Sequence, residues 1–226
     1  MALKKKVLIT GASRGIGRSI LEAFSDENSF LIGTATSKVG LDTIQNFLSE
    51  NKIEGKALIL DLGKEESINN FFTTLKDNDL YPDVLINNAG YGIADQFHET
   101  SVEVEEKFIT VLGTSVITLT KLFIGDMLKR GTGQIMIVSS VAAFAPPSTI
   151  QVLYGPIKTF MNRFSDAINV NYKHKGISST ALCPGYTVTE FHTASGTQEQ
   201  MDKVPGFLKL DARRVAREGI LSLIHI

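Results

Sequence analysis

The chain has one cysteine and no tryptophan among 226 residues, and its charges nearly cancel, leaving a formal net charge of −1. A lone Cys183 excludes an internal disulfide and any metal site built from several cysteines, and it fits a reducing compartment. The charge balance removes the broad basic field that nucleic acid or an acidic membrane surface would need. Lys4, Lys5 and Lys6 precede an apolar run of only Val7, Leu8 and Ile9, too short for the apolar region of a signal peptide. Polar residues interrupt the longer apolar stretches, so none is expected to supply the ~20 apolar residues of a membrane span. These absences predict a soluble, cytoplasmic protein with no nucleic-acid partner, no membrane partner and no metal.

What is present suffices for a sizeable core: 43% of residues are hydrophobic and 21% charged, at a length that fits one domain over 1–226. Short apolar runs suited to buried strands recur at Val7 to Thr10, Ser29 to Gly33, Ala57 to Leu60, Val84 to Ile86, Ile135 to Val138 and Ser178 to Leu182. Between them lie segments of helical spacing, such as Ile16, Ile20, Leu21 and Phe24, and then Leu41, Ile44, Phe47 and Leu48. The longest helical stretches run from about Val102 to Lys129 and Val152 to Lys173. Strand and helix in this alternation predict an α/β fold: a doubly wound, mostly parallel sheet in a three-layer αβα sandwich.

The first strand runs straight into Gly11-Ala12-Ser13-Arg14-Gly15-Ile16-Gly17, and helical spacing starts at once. Glycine lets backbone approach a pyrophosphate, and the free N–H groups of a helix start supply donors and a favourable dipole. The spacing is Gly-x-x-x-Gly-x-Gly, different from the commoner Gly-x-Gly-x-x-Gly, but its strand-turn-helix setting makes it a candidate phosphate cradle. A site that reads the ribose 2′-hydroxyl of NAD has an acid about 20 residues further on. None stands between Phe30 and Leu41, where the chain reads Gly33-Thr34-Ala35-Thr36-Ser37-Lys38. With Arg14 and Lys38 nearby, a 2′-phosphate could be neutralised by charge-assisted hydrogen bonds. NADP(H) is therefore expected ahead of NAD(H), with Ser13, Arg14, Gly15, Gly17 and Thr36 among its contacts.

Tyr154 and Lys158 stand four residues apart at the start of a helical segment, on one face. A phenol with a reference pKa of about 10 is a poor base at neutral pH, and a neighbouring ammonium is expected to lower that value. Pro156 between them requires the helix to begin near Val152, where N–H groups have no intrahelical partner to lose.

Taken in order, TGASRGIG, NNAG at Asn87 to Gly90, IVSS at Ile137 to Ser140, YGPIK at Tyr154 to Lys158 and PGYTVTE at Pro184 to Glu190 resemble the short-chain dehydrogenase/reductase family, over about residues 5 to 191. The resemblance implies a Rossmann-like fold and hydride transfer between a nicotinamide and a carbonyl or alcohol. It implies Tyr154 as general acid or base. Lys158 would lower the pKa of Tyr154 and hold the nicotinamide ribose, and Ser140, ahead of Ser139, would hold the substrate oxygen. It implies dinucleotide contacts at Gly11, Arg14, Ile16, Asp61, Leu62, Asn88, Ala89, Gly90, Pro184, Gly185 and Thr189. A homodimer or homotetramer through the two long helices is implied as well. Within the family, GTATS is similar to β-ketoacyl carrier-protein reductases, whereas ALCPGYTVTEFH is similar to a group of bacterial reductases, so the substrate stays open. The segment Tyr186 to Lys209, with Phe191, His192, Met201 and Phe207, is expected to line its pocket.

Three departures qualify the resemblance. The family's catalytic Asn is missing: Leu112 falls at its place, and no Asn exists between Asn88 and Asn162. Ser140 and Tyr154 lie 14 positions apart, one more than is usual, which points to a small insertion in Ala145 to Ile150. The chain stops at Ile226, where the family continues, so the sheet is expected to lack its last edge strand and Leu221 to Ile226 to be partly uncovered. A dinucleotide-binding sensor or scaffold with little catalysis is the alternative these departures leave open. An epimerase or dehydratase fits less well, because little chain remains after Pro184 to form a second domain.

Overall fold

The computed structural model describes residues 4–26, 28–146 and 152–224. Among them, six parallel strands form one sheet in the order β3-β2-β1-β4-β5-β6. The strands are β1 (Lys5–Ile9), β2 (Ser29–Ala35), β3 (Gly55–Ile59), β4 (Val84–Asn87), β5 (Gly133–Val138) and β6 (Ile177–Leu182). Each agrees with an apolar run of the sequence to within two residues at either end. The strands alternate with α1 (Gly15–Ala23), α2 (Lys38–Glu50), α3 (Glu65–Asp77), a long helical stretch from Val102 to Arg130, and α6 (Tyr154–Tyr172). This is the Rossmann-like, doubly wound arrangement the alternation predicted.

Both sheet faces are covered, because side chains point alternately to the two sides of each strand. Leu8, Leu85, Ile135 and Ile137 join a core with Phe71, Phe108, Leu119 and Phe123. Val7, Ile9, Val84, Ile86 and Met136 join a second core with Ile20, Ile44 and Leu48. The final helix, α9 (Ala212–Ile224), packs on α1 and adds Ala216 and Leu223 to the second core. Leu223 is thus buried, contrary to the expectation of an uncovered end, while Leu221 stays exposed. Residues 225–226 lie outside the described residues, as does the 147–150 part of the expected insertion.

The long stretch is not one regular helix. It comprises α4 (Val102–Ile109), a π-turn over Thr110–Thr114, and α5 (Ser115–Arg130). The N–H of Ser115 reaches back five residues to the carbonyl of Thr110, and such π-turns gather at functional sites. By length and composition, Val102–Arg130 is apolar enough to cross a membrane, which corrects the expectation that no stretch would qualify. Its buried side chains, Phe108, Leu119, Phe123 and Met127, pack into the first core, so much of its apolarity serves the packing of the sheet.

Candidate active site

The strand order reverses between β1 and β4, and loops leaving the two strands to opposite sides open a crevice at their carboxyl ends. A cleft of ≈ 1320 Å³ lies there and reaches from the glycine turn to Met201. Apart from Lys38, all the residues expected at the cofactor and catalytic positions line it. Chain segments far apart in sequence are therefore brought to one site.

The glycine turn is built by close approach. Gly11 has φ +66°, and a Cβ there would lie 3.0 Å from the Cα of Ala89. A Cβ on Gly17 would lie 2.2 Å from the Gly11 carbonyl oxygen and 2.4 Å from Asn88 Nδ2, so α1 can start against the turn only without a side chain. Asn88 Nδ2 donates to the carbonyls of Thr10 (2.8 Å) and Gly11 (3.2 Å). Thr10 Oγ1 accepts from the N–H groups of Asn88 (2.9 Å) and Ala89 (3.0 Å). The amide nitrogen of Asn88 thus clamps the loop after β4 to the glycine turn.

At the end of β2, Thr36 lines the cleft, and Ser37 caps α2 by accepting from the Gly40 N–H at 3.2 Å. The two cations expected here separate. Arg14 lines the cleft, and its side chain has no hydrogen bond or ion pair among the described residues. Lys38 instead points outward and donates to Asp42 at 2.8 Å, a turn along α2. On the far side of the cleft Asp61 Oδ1 accepts from the Gly63 N–H at 3.0 Å, which shapes the turn after β3.

Ser140 stands two residues beyond β5, at the start of a 3-10 turn (Val141–Ala143), and Tyr154 begins α6. The helix starts at Tyr154 rather than Val152, with Leu153 as its N-cap, and Pro156 still falls in the first turn, where its missing N–H breaks no helical bond. The Ser140 hydroxyl faces the Tyr154 phenol and favours its ionised form. Ser140 Oγ also accepts from the Ala142 N–H at 3.1 Å. Ser139, by contrast, is buried and donates to the Lys158 carbonyl at 3.1 Å, so it fastens α6 to β5. Lys158 is buried too, and its Nζ donates to the Val138 carbonyl at 2.8 Å, 5.5 Å from the centre of the Tyr154 ring. Burial pushes its ammonium down to about 8.

The phenol does not behave as the spacing alone suggested. Burial raises the Tyr154 pKa above its ordinary value, and the Ser140 hydroxyl opposes this only in part. The ammonium of Lys158 is itself destabilised by burial and is directed to a backbone carbonyl. The desolvation penalty on the phenolate therefore governs the phenol.

Above the site, β7 (Thr187–Val188) pairs with β8 (Leu210–Asp211), and the chain between them forms α7 (Phe191–Ala194) and α8 (Gln198–Lys203). Phe191, His192 and Met201 line the cleft as expected. Phe207 does not: it is 85% exposed, in a 3-10 turn beyond the cleft. The motifs gave no sign of Tyr91 or Lys107, which also line the cleft. Leu112 does so from the π-turn, 2% exposed.

A family model described as short chain dehydrogenase matches residues 5–200, and the chain belongs to that family. The 3-oxoacyl-(acyl-carrier-protein) reductase FabG of Haemophilus influenzae is 30% identical over 217 residues, which cover 94% of this chain and 88% of that protein. Glucose 1-dehydrogenase 2 of Bacillus subtilis is 28% identical over 208 residues, covering 89% of this chain and 80% of that protein. Among solved structures, a short-chain dehydrogenase from Sphingobium yanoikuyae in complex with NADPH superposes with a TM-score of 0.89 at 27% identity, covering 98% of this chain and 84% of that one. The chain is accordingly an oxidoreductase of the short-chain dehydrogenase type.

Proposed function

We propose that the protein is an NADP(H)-dependent carbonyl reductase or alcohol dehydrogenase of one domain over 1–226, with Tyr154 as general acid or base. The observation that carries this reading is the meeting of Ser140, Tyr154 and a buried Lys158 in one cleft that begins at a glycine cradle. The cradle fits a dinucleotide, because a Cβ at Gly11 or Gly17 would fill the space the turn keeps clear. Arg14, unpaired among the described residues, and the lack of an acid after β2 fit a 2′-phosphate. The solved relative with NADPH supports the same choice.

The dinucleotide, when bound, supplies a hydride to the carbonyl carbon. Ser140 donates a hydrogen bond to the carbonyl oxygen and stabilises the charge that gathers there as the C=O π bond breaks. Tyr154 Oη gives that oxygen its proton, completing the alcohol. Its raised pKa keeps the phenol protonated at neutral pH, which suits reduction. Lys158, held by Val138, is placed to orient the ribose. Oxidation of an alcohol runs these steps in reverse.

Tyr154→Phe tests the reading. It removes the acid oxygen and keeps the ring, so turnover falls by at least a thousandfold while calorimetry finds NADPH binding unchanged. A purified wild type that binds NADPH but reduces no ketone, aldehyde or β-ketoacyl thioester would favour the sensor or scaffold reading, which Leu112 at the Asn position supports. We propose a homodimer through the long helices, where Val102, Ile109 and Ile117 on one and Phe160 and Val170 on the other are exposed apolar side chains. Light scattering at micromolar concentration checks it, and a monomer there would overturn it.

A further inference from the structure

Beyond the nicotinamide position the cleft is walled by rings in mutual contact. Tyr91 meets Phe108 at 5.4 Å between centres, Phe108 meets Tyr154 at 6.5 Å, Tyr154 meets Phe191 at 6.3 Å, and Phe191 meets His192 at 5.5 Å. Four of these five residues line the cleft. Phe108 is buried behind Tyr91 and Tyr154 and supports both. Leu112 and Met201 add apolar wall. Rings placed edge-on and tilted around a cleft receive a flat apolar body by offset or edge contact.

Several polar side chains at this end are already engaged within the protein. Ser195 Oγ accepts from the Gly92 N–H at 2.8 Å, which ties the α7 segment to the loop after β4. Thr159 Oγ1 donates to the carbonyls of Ala143 and Gly155, each at 3.0 Å. Each hydroxyl of a sugar or other polyol would need its own partner here, and burying such groups unpaired is unfavourable.

His192 offers a free acceptor. Its Nδ1 lies 3.2 Å from Thr197 Oγ1, and that hydroxyl has the His192 carbonyl within 3.5 Å as an acceptor for its own proton. The hydroxyl oxygen is then left to accept from Nδ1–H, which leaves Nε2 with the lone pair. Burial lowers the pKa of the ring and keeps it neutral, so the acceptor persists at physiological pH. Nε2 has no hydrogen-bond partner among the described residues. From Tyr154, His192 is two ring contacts away through Phe191, on the same wall of the cleft.

We propose that the substrate is an aryl ketone carrying a hydroxyl on the ring remote from the carbonyl, with the ring held against Phe191 and Tyr91 and the hydroxyl donating to His192 Nε2. This rests on the carbonyl-reductase reading and narrows it. The carbonyl takes up hydride and the Tyr154 proton as above, and the ring hydroxyl is unchanged.

The test compares a para-hydroxyaryl ketone, its O-methyl ether and the parent aryl ketone by NADPH consumption, beside a β-ketoacyl thioester and, in the oxidising direction, glucose. The wild type should favour the hydroxyaryl ketone over its ether by roughly five- to tenfold in kcat/KM, the worth of one neutral hydrogen bond. His192→Leu should abolish that preference, and His192→Gln, which keeps an acceptor, should retain it. Equal kcat/KM for the three ketones, or a preference for glucose or the thioester, would overturn the proposal. Calorimetry of the hydroxyaryl ketone with protein saturated in NADP+ separates the two levels of inference. Binding there without turnover in any assay would support the pocket assignment and overturn the catalytic reading, whereas turnover of another class with no binding here would do the reverse.

Discussion

Lys158 Nζ donates to the carbonyl oxygen of Val138 at 2.8 Å, inside the protein. The bond anchors the first turn of α6 to the end of β5 and fixes where Tyr154 stands. It also places an ammonium where water cannot solvate it, so its charge is held less firmly than on the surface.

A pH dependence follows from that burial. With Tyr154 as the proposed acid and Lys158 as its proposed partner, reduction needs the phenol protonated and the lysine charged. With Lys158 near 8 and Tyr154 raised, kcat for reduction should be level through neutrality and fall as pH rises through about 8. Stability moves the other way. The unfolded lysine holds its proton to about 10.4, so between pH 8 and that value the unfolded state binds more protons than the folded one. The contribution of this group to stability therefore rises with pH across that window. Urea midpoints of the wild type and Lys158→Met over pH 7.5 to 10, roughly that window, check it: the variant should lack this part of the slope.

The 2′-phosphate is assigned to Arg14 alone, because Lys38 is turned outward to Asp42. Arg14→Ala should weaken NADPH binding by about tenfold or more, as expected for a charge-assisted hydrogen bond, and leave NADH binding unchanged. Lys38→Ala should alter neither by more than about twofold, since exposed charges away from a site contribute little. Calorimetry with both cofactors decides between them, and an effect at Lys38 equal to that at Arg14 would refute the assignment.

The separation of these two cations marks how far the sequence could be read. Strand positions were legible because parallel strands covered on both faces are continuous apolar runs, and the glycine turn because only glycine allows Gly17 to sit against Gly11 and Asn88. Tyr154, Lys158 and Ser140 were legible as a set through their order. Lys38 was misjudged because nearness in sequence says nothing about the direction of a side chain on a helix start. The raised pKa of Tyr154 was missed for a related reason: spacing announces a neighbouring charge but not the burial that outweighs it. Tyr91 reaches the cleft from a connecting segment with no periodic pattern and Lys107 from a helix whose facing the spacing did not reveal, and Phe207 leaves the cleft in an irregular segment.

Gly17 offers a direct test of the cradle. A Cβ there would overlap the Gly11 carbonyl and Asn88 Nδ2, so Gly17→Ala forces α1 away from the turn. Overpacking of this kind costs ~1–3 kcal/mol. The urea midpoint should fall accordingly, and NADPH affinity should drop further than stability alone explains, because the N–H groups facing the phosphates move. Gly125→Ala is the control: a Cβ there meets nothing within 4 Å, and neither quantity should fall.

Leu112 is where the catalytic and the binding-only readings part. It sits in the π-turn, 2% exposed, lining the cleft, and a Cβ on Gly90 would lie 3.6 Å from its Cγ. After each reduction Tyr154 must regain a proton, and in the family the resemblance implies a relay through ribose, lysine and a water beside the Asn that Leu112 replaces. A leucine side chain gives that water no hydrogen bond. The wild type should therefore turn over slowly, and Leu112→Asn should raise kcat with NADPH affinity unchanged. The same change removes buried apolar contacts, and truncating a buried leucine to alanine costs ~2–5 kcal/mol. Rates must then be read on protein shown to be folded, at saturating NADPH, which adds stability through binding. Leu112→Ala opens similar space without an amide and separates the two causes. A gain in kcat for Asn alone assigns the effect to the restored hydrogen bond. An equal gain for Ala would assign it to room for water in the cleft, and no gain for either, in folded protein, would mean that the proton reaches Tyr154 by a route that does not pass Leu112.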